Sequence, residues 1–496
     1  MPILALAAAV AGLLTAAVSP VLAICLLLGV VSTTSGLAWL LGAGNQAVPS
    51  FFIAGMFAGE GWRVARAWWE RRHGARAPED GSAASETVSR LRLITWMALG
   101  AVVVSSTLAL LRGLPWDAEL IGTALRQAWE RGGYFNPPGI AGTVNAAFVA
   151  VSGFGVLLLV LRHLSSPRDR RRVVASAVAG AGFAVLAPLL QVAVGSEVYV
   201  RADQRRMISS GWSGFFQDPQ SYAAFLVLAI ALCGGLALGA WRDGKRWRAL
   251  LPAGIALAAV VPLMFTNSRG GLLAMLVAFA VLTAAYLAVG ERRRDRLIGA
   301  AAAIVAIVAA GGAVSFNQGA RERAYAALTQ LGNVRMWEAL GPEAQPLELL
   351  DKRFLWWQKA VLISAQHPIW GVGPRGYFST DVQIGDSPLD RLPPHFLQEN
   401  AHNYFLQFAA ELGLVAFAFL LAVLLRVLAI ISRGLVGSSP ASSGLLAGIL
   451  AGLAGFICLS IFSHPLLLAE LQAWFWGLAG IGVLSARRSA PETRRE

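Results

Sequence analysis

Residues 249–290 read ALLPAGIALAAVVPLMFTNSRGGLLAMLVAFAVLTAAYLAVG, an apolar run of 42 residues with a polar cluster at its centre. A helix of that length would measure roughly 63 Å, about two crossings of a bilayer. The chain must therefore reverse near the middle, where Thr266-Asn267-Ser268-Arg269-Gly270-Gly271 supplies turn-forming residues, the glycine pair among them. The run predicts two membrane-spanning helices with Arg269 at the membrane edge between them.

The whole chain has the composition of a polytopic membrane protein. Of its 496 residues, 56% are hydrophobic and 14% are charged, and the mean hydropathy is +0.60. A soluble domain is about half apolar and about a quarter charged. These values exclude a disordered chain, a disulfide scaffold and almost any soluble enzyme. The predicted fold class is an all-α polytopic membrane protein.

The net charge of +13 does not indicate nucleic-acid binding, because the basic residues form short clusters between apolar runs. Such clusters are typical of cytoplasmic loops. The three cysteines each lie inside an apolar run and lack metal-ligand spacing. The sequence contains no Walker A, His-Glu-x-x-His, Cys-x-x-Cys or Gly-x-Ser-x-Gly motif. It therefore predicts neither ATP hydrolysis nor structural zinc, and it indicates no metal site and no cofactor.

Twelve segments are long and apolar enough to span a membrane. They are residues 3–18, 21–42, 92–112, 140–161, 173–195, 220–240, 249–266, 270–290, 298–315, 404–432, 443–462 and 466–486. The first is interpreted as a span and not as a cleaved signal peptide, because no basic region precedes it. A further segment, 46–62, is broken by Pro49 and Glu60 and is predicted to be a partial or interfacial helix.

If these spans alternate, five basic stretches fall on one side, which the positive-inside rule assigns to the cytoplasm. They are residues 63–92, 162–172, 242–248, 292–296 and 487–495. Both termini are then cytoplasmic, and the loops 113–139, 196–219 and 316–403 face the other side.

The chain is predicted to divide into three parts. Residues 1–315 form a transmembrane bundle, residues 316–401 a large periplasmic loop or cap, and residues 402–496 the helices that complete the bundle. The loop carries eight Lys and Arg against nine Asp and Glu, so it has no basic excess. Its 86 residues are too many for a passive connection. Phe354 to Ile363 predicts an amphipathic helix there, and Pro368 to Gly376 a turn-rich stretch.

Aromatic side chains are frequent in the long loop. They include Trp356, Trp357, Trp370 and Tyr377. Exposed aromatic faces suit the apolar faces of sugar rings, whereas Trp and Tyr also collect in the interfacial belts of membrane proteins. The sequence leaves both interpretations open.

A second polar feature precedes the span at 404–432. Glu399, Asn403, Gln407 and Glu411 recur every four residues and would form one stripe on a helix. Polar groups that enter a membrane span are costly and usually face a cavity. His402 lies at the start of this stripe. It is interpreted either as a base that accepts a proton near neutral pH or as a polar cap of the helix.

Arginines mark the same side of the membrane. Arg269 is predicted either to grip a phosphate through its guanidinium or to reach lipid headgroups. Arg201, Arg205 and Arg206 give the loop 196–219 a local basic excess. An anion site and a simple surface patch both explain that excess.

Taken in order, these segments resemble the O-antigen ligase and O-antigen polymerase (Wzy_C-type) superfamily of bacterial membrane glycosyltransferases. The resemblance covers roughly residues 200–430. Four segments carry it: Gly214 to Gln220, Ser268-Arg269-Gly270-Gly271, Arg353 to Gly373, and His402-Asn403-Tyr404-Phe405-Leu406-Gln407 with Glu411-Leu412-Gly413. Two departures from the family pattern are Gly211, where an arginine is usual, and Gln220, where asparagine is commoner.

The resemblance implies a GT-C-like helical bundle in the bacterial inner membrane, with its active site on the periplasmic side. It also implies an inverting transfer of a glycan from undecaprenyl pyrophosphate, without a metal or a nucleotide sugar. His402 would be the catalytic base, supported by Asn403, Glu399, Glu411 and Arg353. Arg269 and one of Arg201, Arg205 and Arg206 would bind the pyrophosphate.

The acceptor and the class of function have alternatives. The short motifs are more similar to those of ligases, whose acceptor is the lipid A core, than to those of polymerases, whose acceptor is another lipid-linked glycan. A protein acceptor is a third option. Outside this class, a secondary transporter of an organic anion would use the arginines as a gate, but internal repeats expected of transporters are not found. A structural membrane scaffold is disfavoured by the polar stripe. Membrane lipids are expected partners in every case.

Overall fold

The computed structural model describes residues 2–31, 48–73, 86–113, 140–194, 212, 214, 216, 218–289, 349–380 and 400–486. These residues form helices and turns and contain no strand. The main helices are, in chain order, α1 (Pro2–Val18), α2 (Pro20–Leu26, continued by a π-helical turn, Leu27–Val31), α3 (Val48–Arg72), α4 (Glu86–Gly113), α5 (Ile140–His163), α6 (Pro167–Val194), α7 (Pro219–Arg242), α8 (Arg246–Phe265), α9 (Arg269–Val289), α10 (Leu349–Gln366), α11 (Gly376–Ser379), α12 (Tyr404–Leu435), α13 (Pro440–Phe462) and α14 (Ala469–Ala486).

Seven of the described helices are long and apolar enough to cross a membrane. They comprise Glu86–Arg112, Gly142–His163, Pro219–Arg242, Arg246–Phe265, Arg269–Val289, Tyr404–Leu435 and Pro440–Phe462. Each coincides with a predicted span, so the class of all-α polytopic membrane protein is confirmed. The count of twelve spans and the three-part division stay predictions, and the span at 298–315 lies outside the described residues.

The segment predicted to be broken at Pro49 and Glu60 is instead one continuous helix, α3. Pro49 is its second residue, where a missing backbone N–H costs nothing because the first turn has no intrahelical acceptor. The Glu60 carboxylate forms ion pairs with three basic residues, Arg63, Arg162 and His163. The prediction of a break was therefore wrong.

A central helix, α14, organises the bundle. Of its residues only Ser485 is not fully buried, as expected of a helix surrounded by protein on every side. Two of its buried polar side chains have partners within the protein: Gln472 Nε2 donates to the carbonyl of Leu466 at 2.6 Å, and Trp476 Nε1 donates to Gln472 Oε1 at 2.8 Å.

Helices α7 and α13 cross at backbone contact through glycines spaced four apart. A Cβ on Gly235 would lie 2.4 Å from the carbonyl oxygen of Gly444, and one on Gly448 would lie 2.6 Å from that of Ala231. Gly239 faces the same seam. Small residues at this spacing let membrane helices approach closely and gain dispersion contacts.

Four helix ends meet at what we call the site end of the bundle. Tyr404 N donates to the Ser463 carbonyl at 3.1 Å, and Ser463 Oγ donates to Gln220 Oε1 at 2.6 Å. Gly270 lies against Phe462. The starts of α7, α9 and α12 and the end of α13 therefore lie together. At the opposite end, the Arg242 guanidinium donates to the Val289 carbonyl at 3.1 Å.

Helix α12 is interrupted at Gly413, which has φ 83° and ψ 166°. The turn-rich stretch after α10 docks into this interruption. Gly373 N donates to the Glu411 carbonyl at 2.7 Å, and Leu414 N donates to the Pro368 carbonyl at 2.7 Å. Backbone groups that lose their helical partners at the kink thus regain partners. A Cβ on Gly413 would lie 2.1 Å from the Ile369 carbonyl oxygen, so only glycine fits.

The kink changes the interpretation of the predicted span at 404–432. Residues 414–435 are 22 residues long, roughly 33 Å of helix, which is enough to cross a bilayer alone. The nine residues from Tyr404 to Leu412 therefore form a separate short helical segment at the site end.

Candidate active site

The turn that presents Arg269 is built by its polar neighbours. Asn267 adopts a left-handed conformation with φ 53°, which asparagine tolerates better than most residues. Ser268 Oγ accepts from Gly271 N at 3.0 Å and caps α9. Arg269 is the first residue of α9, and its side chain is exposed. The predicted reversal is confirmed.

The sequence predicted that the glycine pair helps to make the turn, and this was wrong. Gly270 and Gly271 belong to the first turn of α9. A Cβ on Gly271 would lie 2.7 Å from Ala223 Cβ. Gly271 therefore allows α9 to pack closely on α7, and Asn267 supplies the left-handed backbone.

His402 lies in a tight turn that its own motif holds together. Its backbone is left-handed, with φ 46°, a conformation that costs a non-glycine residue roughly 1–2 kcal/mol. His402 N donates to Asn400 Oδ1 at 2.9 Å, and Asn403 Oδ1 caps α12 by accepting from Leu406 N at 3.1 Å. Backbone strain of this kind concentrates at functional positions.

The predicted polar stripe is only partly helical. Asn403 is the N-cap and not a helical residue, and Glu399 lies outside the described residues. Gln407 Nε2 donates to Glu411 Oε1 at 3.0 Å, and Gln407 Oε1 accepts from Ala401 N at 3.2 Å. The buried Gln407 thus stabilises the turn that carries His402. A cavity of about 20 Å³ borders Gln407 and Glu411, room for about one water molecule.

Helix α10 covers this turn. It contains the amphipathic helix predicted at Phe354 to Ile363 and is longer at both ends, so that prediction is confirmed. The Trp356 ring lies 4.9 Å from the His402 ring, centroid to centroid, at an interplanar angle of 31°. Tyr377 Oη donates to the Trp356 carbonyl at 2.9 Å and so holds this turn of α10 in place.

The predicted sugar-stacking residues differ in accessibility. Tyr377 is fully buried, and Lys359 Nζ lies 4.9 Å above its ring. Trp356 is 7% exposed and faces His402. Trp357 and Trp370 are half-buried. The latter two therefore have ring surface available to a ligand, and Tyr377 has a structural position.

The charges of two arginines, Arg269 and Arg353, act on each other beside this turn. Burial, followed by the charge of Arg269, lowers the pKa of Arg353. Among the described residues, no carboxylate lies within ion-pair distance of either arginine. Like charges that share a partly desolvated region repel each other and favour an anion between them. Arg201, Arg205 and Arg206 lie outside the described residues.

His464, which was not predicted from the sequence, lies beside His402. His464 lies in the turn between α13 and α14, and its ring centroid is 5.3 Å from that of His402. Burial and the nearby charges of His402 and Arg353 lower the pKa of His464 to about 3. The sequence did hold a signal: Ser463 and His464 are a polar pair within the long apolar run after residue 443.

The middle of the chain matches a known protein family. Residues 253–421 match the family model Wzy_C, described as O-antigen ligase. The matched segment lies within residues 200–430, the part of the chain on which the resemblance rests. The resemblance inferred from the sequence is therefore confirmed, and the match supports a membrane-enzyme family of the O-antigen ligase and polymerase type. The comparison with curated proteins returns no match.

The segment that matches the O-antigen ligase model runs from within α8 through α9, α10 and α11 to the middle of α12. It contains Arg269, Arg353 and His402, which come from three different elements. Ser463 and His464 lie outside the matched residues but contact them at the site end, and Gln220, also outside, bonds to Ser463. The site is therefore larger than the matched segment.

Proposed function

We propose that this protein transfers a glycan from undecaprenyl pyrophosphate to an acceptor hydroxyl at the periplasmic face of the bacterial inner membrane. The proposed acceptor is the lipid A core, as in O-antigen ligases. One observation carries the proposal: the charges of Arg269 and Arg353 act on each other without a described carboxylate partner, and the charge of Arg353 also acts on His464, which contacts His402.

The arginine pair suits a diphosphate leaving group. The pyrophosphate gains negative charge as its bond to the anomeric carbon breaks. Guanidinium groups bind phosphate oxygens through two parallel hydrogen bonds. Placed where water is partly excluded, they stabilise the developing charge more strongly than they would in bulk water. We infer that Arg269 and Arg353 hold the donor diphosphate.

His402 suits the role of general base. The acceptor oxygen would attack the anomeric carbon from the face opposite the pyrophosphate, which inverts the configuration. His402 would take the proton of that hydroxyl, and undecaprenyl pyrophosphate would leave with the electron pair of the broken bond. No metal is assigned a part in this sequence. Trp357 and Trp370 are proposed to contact the sugar rings.

The proposal is tested with His402→Asn, since asparagine tolerates the left-handed backbone at this position. We expect the purified variant to fold with equal or higher thermal stability. We expect glycan transfer to fall by about 10²–10⁴-fold, the usual contribution of a positioned base. His73→Asn, at an exposed position in the other half of the chain, serves as the control.

The assay uses the lipid-linked glycan donor with two acceptors in parallel, the lipid A core and a second lipid-linked glycan. Transfer to the first supports the ligase function, and transfer to the second alone would assign a polymerase. Normal transfer by the His402 variant would remove the base assignment. Uptake of an organic anion by proteoliposomes without any transfer would favour a transporter.

A further inference from the structure

His464 belongs to a turn that joins two distant segments of the site end. Its neighbour Ser463 accepts a hydrogen bond from Tyr404 N through its carbonyl and donates one to Gln220 through its hydroxyl. The first bond fixes the start of α12, two residues after His402. The second fixes the start of α7. The turn at 463–468 therefore has a set position relative to the turn that carries His402.

The two imidazole rings meet edge to face. Their interplanar angle is 70° at a centroid separation of 5.3 Å, within the range of favourable T-shaped ring pairs. Trp356 from α10 contacts the same His402 ring at 4.9 Å. The His402 side chain is thus held by rings from two elements that lie more than 100 residues apart in the sequence.

His464 has the burial and charge state that such a role needs. Only 7% of the residue is exposed, so a substrate reaches His402 more readily than His464. Its depressed pKa keeps the ring neutral at physiological pH. A neutral ring adds no positive charge beside His402.

We propose that His464 is a positioning residue that holds the His402 imidazole in the orientation for accepting the acceptor proton. This inference rests on the proposed function, because it assigns His464 a part in the same transfer. It extends the site beyond the segment that matches the O-antigen ligase family.

The kinetic experiment compares His464→Ala with His464→Phe. Because misplacement of a reacting group by about 1 Å can cost about 10²-fold in rate, we expect the alanine variant to lose about 10- to 100-fold in kcat. The KM for the donor should stay close to the wild-type value. Phenylalanine keeps a ring of similar size and should recover most of the lost kcat.

A second experiment does not depend on transfer. Diethyl pyrocarbonate modifies accessible neutral imidazoles, and mass spectrometry gives the rate at each histidine. We expect His402 to react several-fold faster in His464→Ala than in the wild type, because its ring is released. The exposed His73 is the internal reference and should react at an unchanged rate.

The outcomes separate this inference from the proposed function. If the wild-type protein transfers no glycan, the proposed function fails, and if His402→Asn transfers glycan normally, the base assignment fails; in both cases the modification rates still test the ring contact. If that variant is inactive but His464→Ala is as active as wild type, the inference alone fails. An unchanged His402 modification rate, or a phenylalanine variant as impaired as the alanine variant, would also overturn it.

Discussion

The two ends of the helical bundle handle positive charge in opposite ways. At the end of the bundle away from the site end, Glu60 lies 3.2 Å from the Arg162 guanidinium and 3.0 Å from His163 Nε2. Lys245 likewise pairs with Asp243 at 2.5 Å. At the site end, the charge of Arg269 acts on Arg353, and neither has a described carboxylate at ion-pair distance. Paired charges stabilise a fold, whereas unpaired like charges are retained where a ligand supplies the counter-charge.

The largest expected effect concerns the site end. Arg353→Gln removes one of two proposed diphosphate contacts, and we expect glycan transfer to fall by about 10²–10³-fold. Thermal stability should stay equal or rise, because a like-charge neighbour is removed from a half-buried position. Transfer assays and melting curves in detergent measure both. A variant with normal transfer and a lower melting temperature would make Arg353 a structural residue.

The paired end should respond in the reverse way. Glu60→Gln leaves Arg162 and His163 without their carboxylate, and the side chain of Glu60 is only 12% exposed. We expect a loss of about 1–3 kcal/mol in the free energy of unfolding, typical of a partly buried charged hydrogen bond. Transfer per folded molecule should not change. A loss of transfer at unchanged stability would refute the contrast between the two ends.

The smallest expected effect is on pH dependence. The pKa of His464 is about 3 in the fold and about 6.5 in the unfolded chain. Between these values the unfolded state binds a proton that the folded state does not, so this residue lowers stability as pH falls below about 6.5. In His464→Gln, stability should decline less between pH 7 and pH 5. The groups facing His464 are His402 and Arg353, and equal slopes would contradict its burial as a neutral ring.

Much of the fold followed from the sequence because apolar run length alone decides which segments can span a bilayer. The reversal at Thr266 to Gly271 and the helix after Phe354 were also predicted, because each depends on a local sequence pattern. The interruption at Gly413 was not, because its stability comes from hydrogen bonds to Pro368 and Gly373, some 40 residues earlier in the chain. No local pattern reports such partners.

The candidate site was predictable only where its residues stand in motifs. Arg269 and His402 were identified from their polar neighbours within apolar surroundings. His464 was missed, since a single histidine in a short turn has no periodicity, and its importance depends on the fold that places it against His402. Gln407 was assigned to a stripe facing a cavity, and it does border a small one. It also bonds to Glu411 and to the backbone of Ala401, a partner that helical spacing does not specify.

The central claim is that two arginines at the site end bind one diphosphate. Binding of undecaprenyl pyrophosphate, without a glycan, to the purified protein tests it most directly. We expect Arg269→Gln and Arg353→Gln each to weaken binding by about tenfold or more, the double variant to show a combined loss that is not the sum of the two, and Glu60→Gln to bind as tightly as wild type. Unchanged affinity in both single arginine variants would contradict the account.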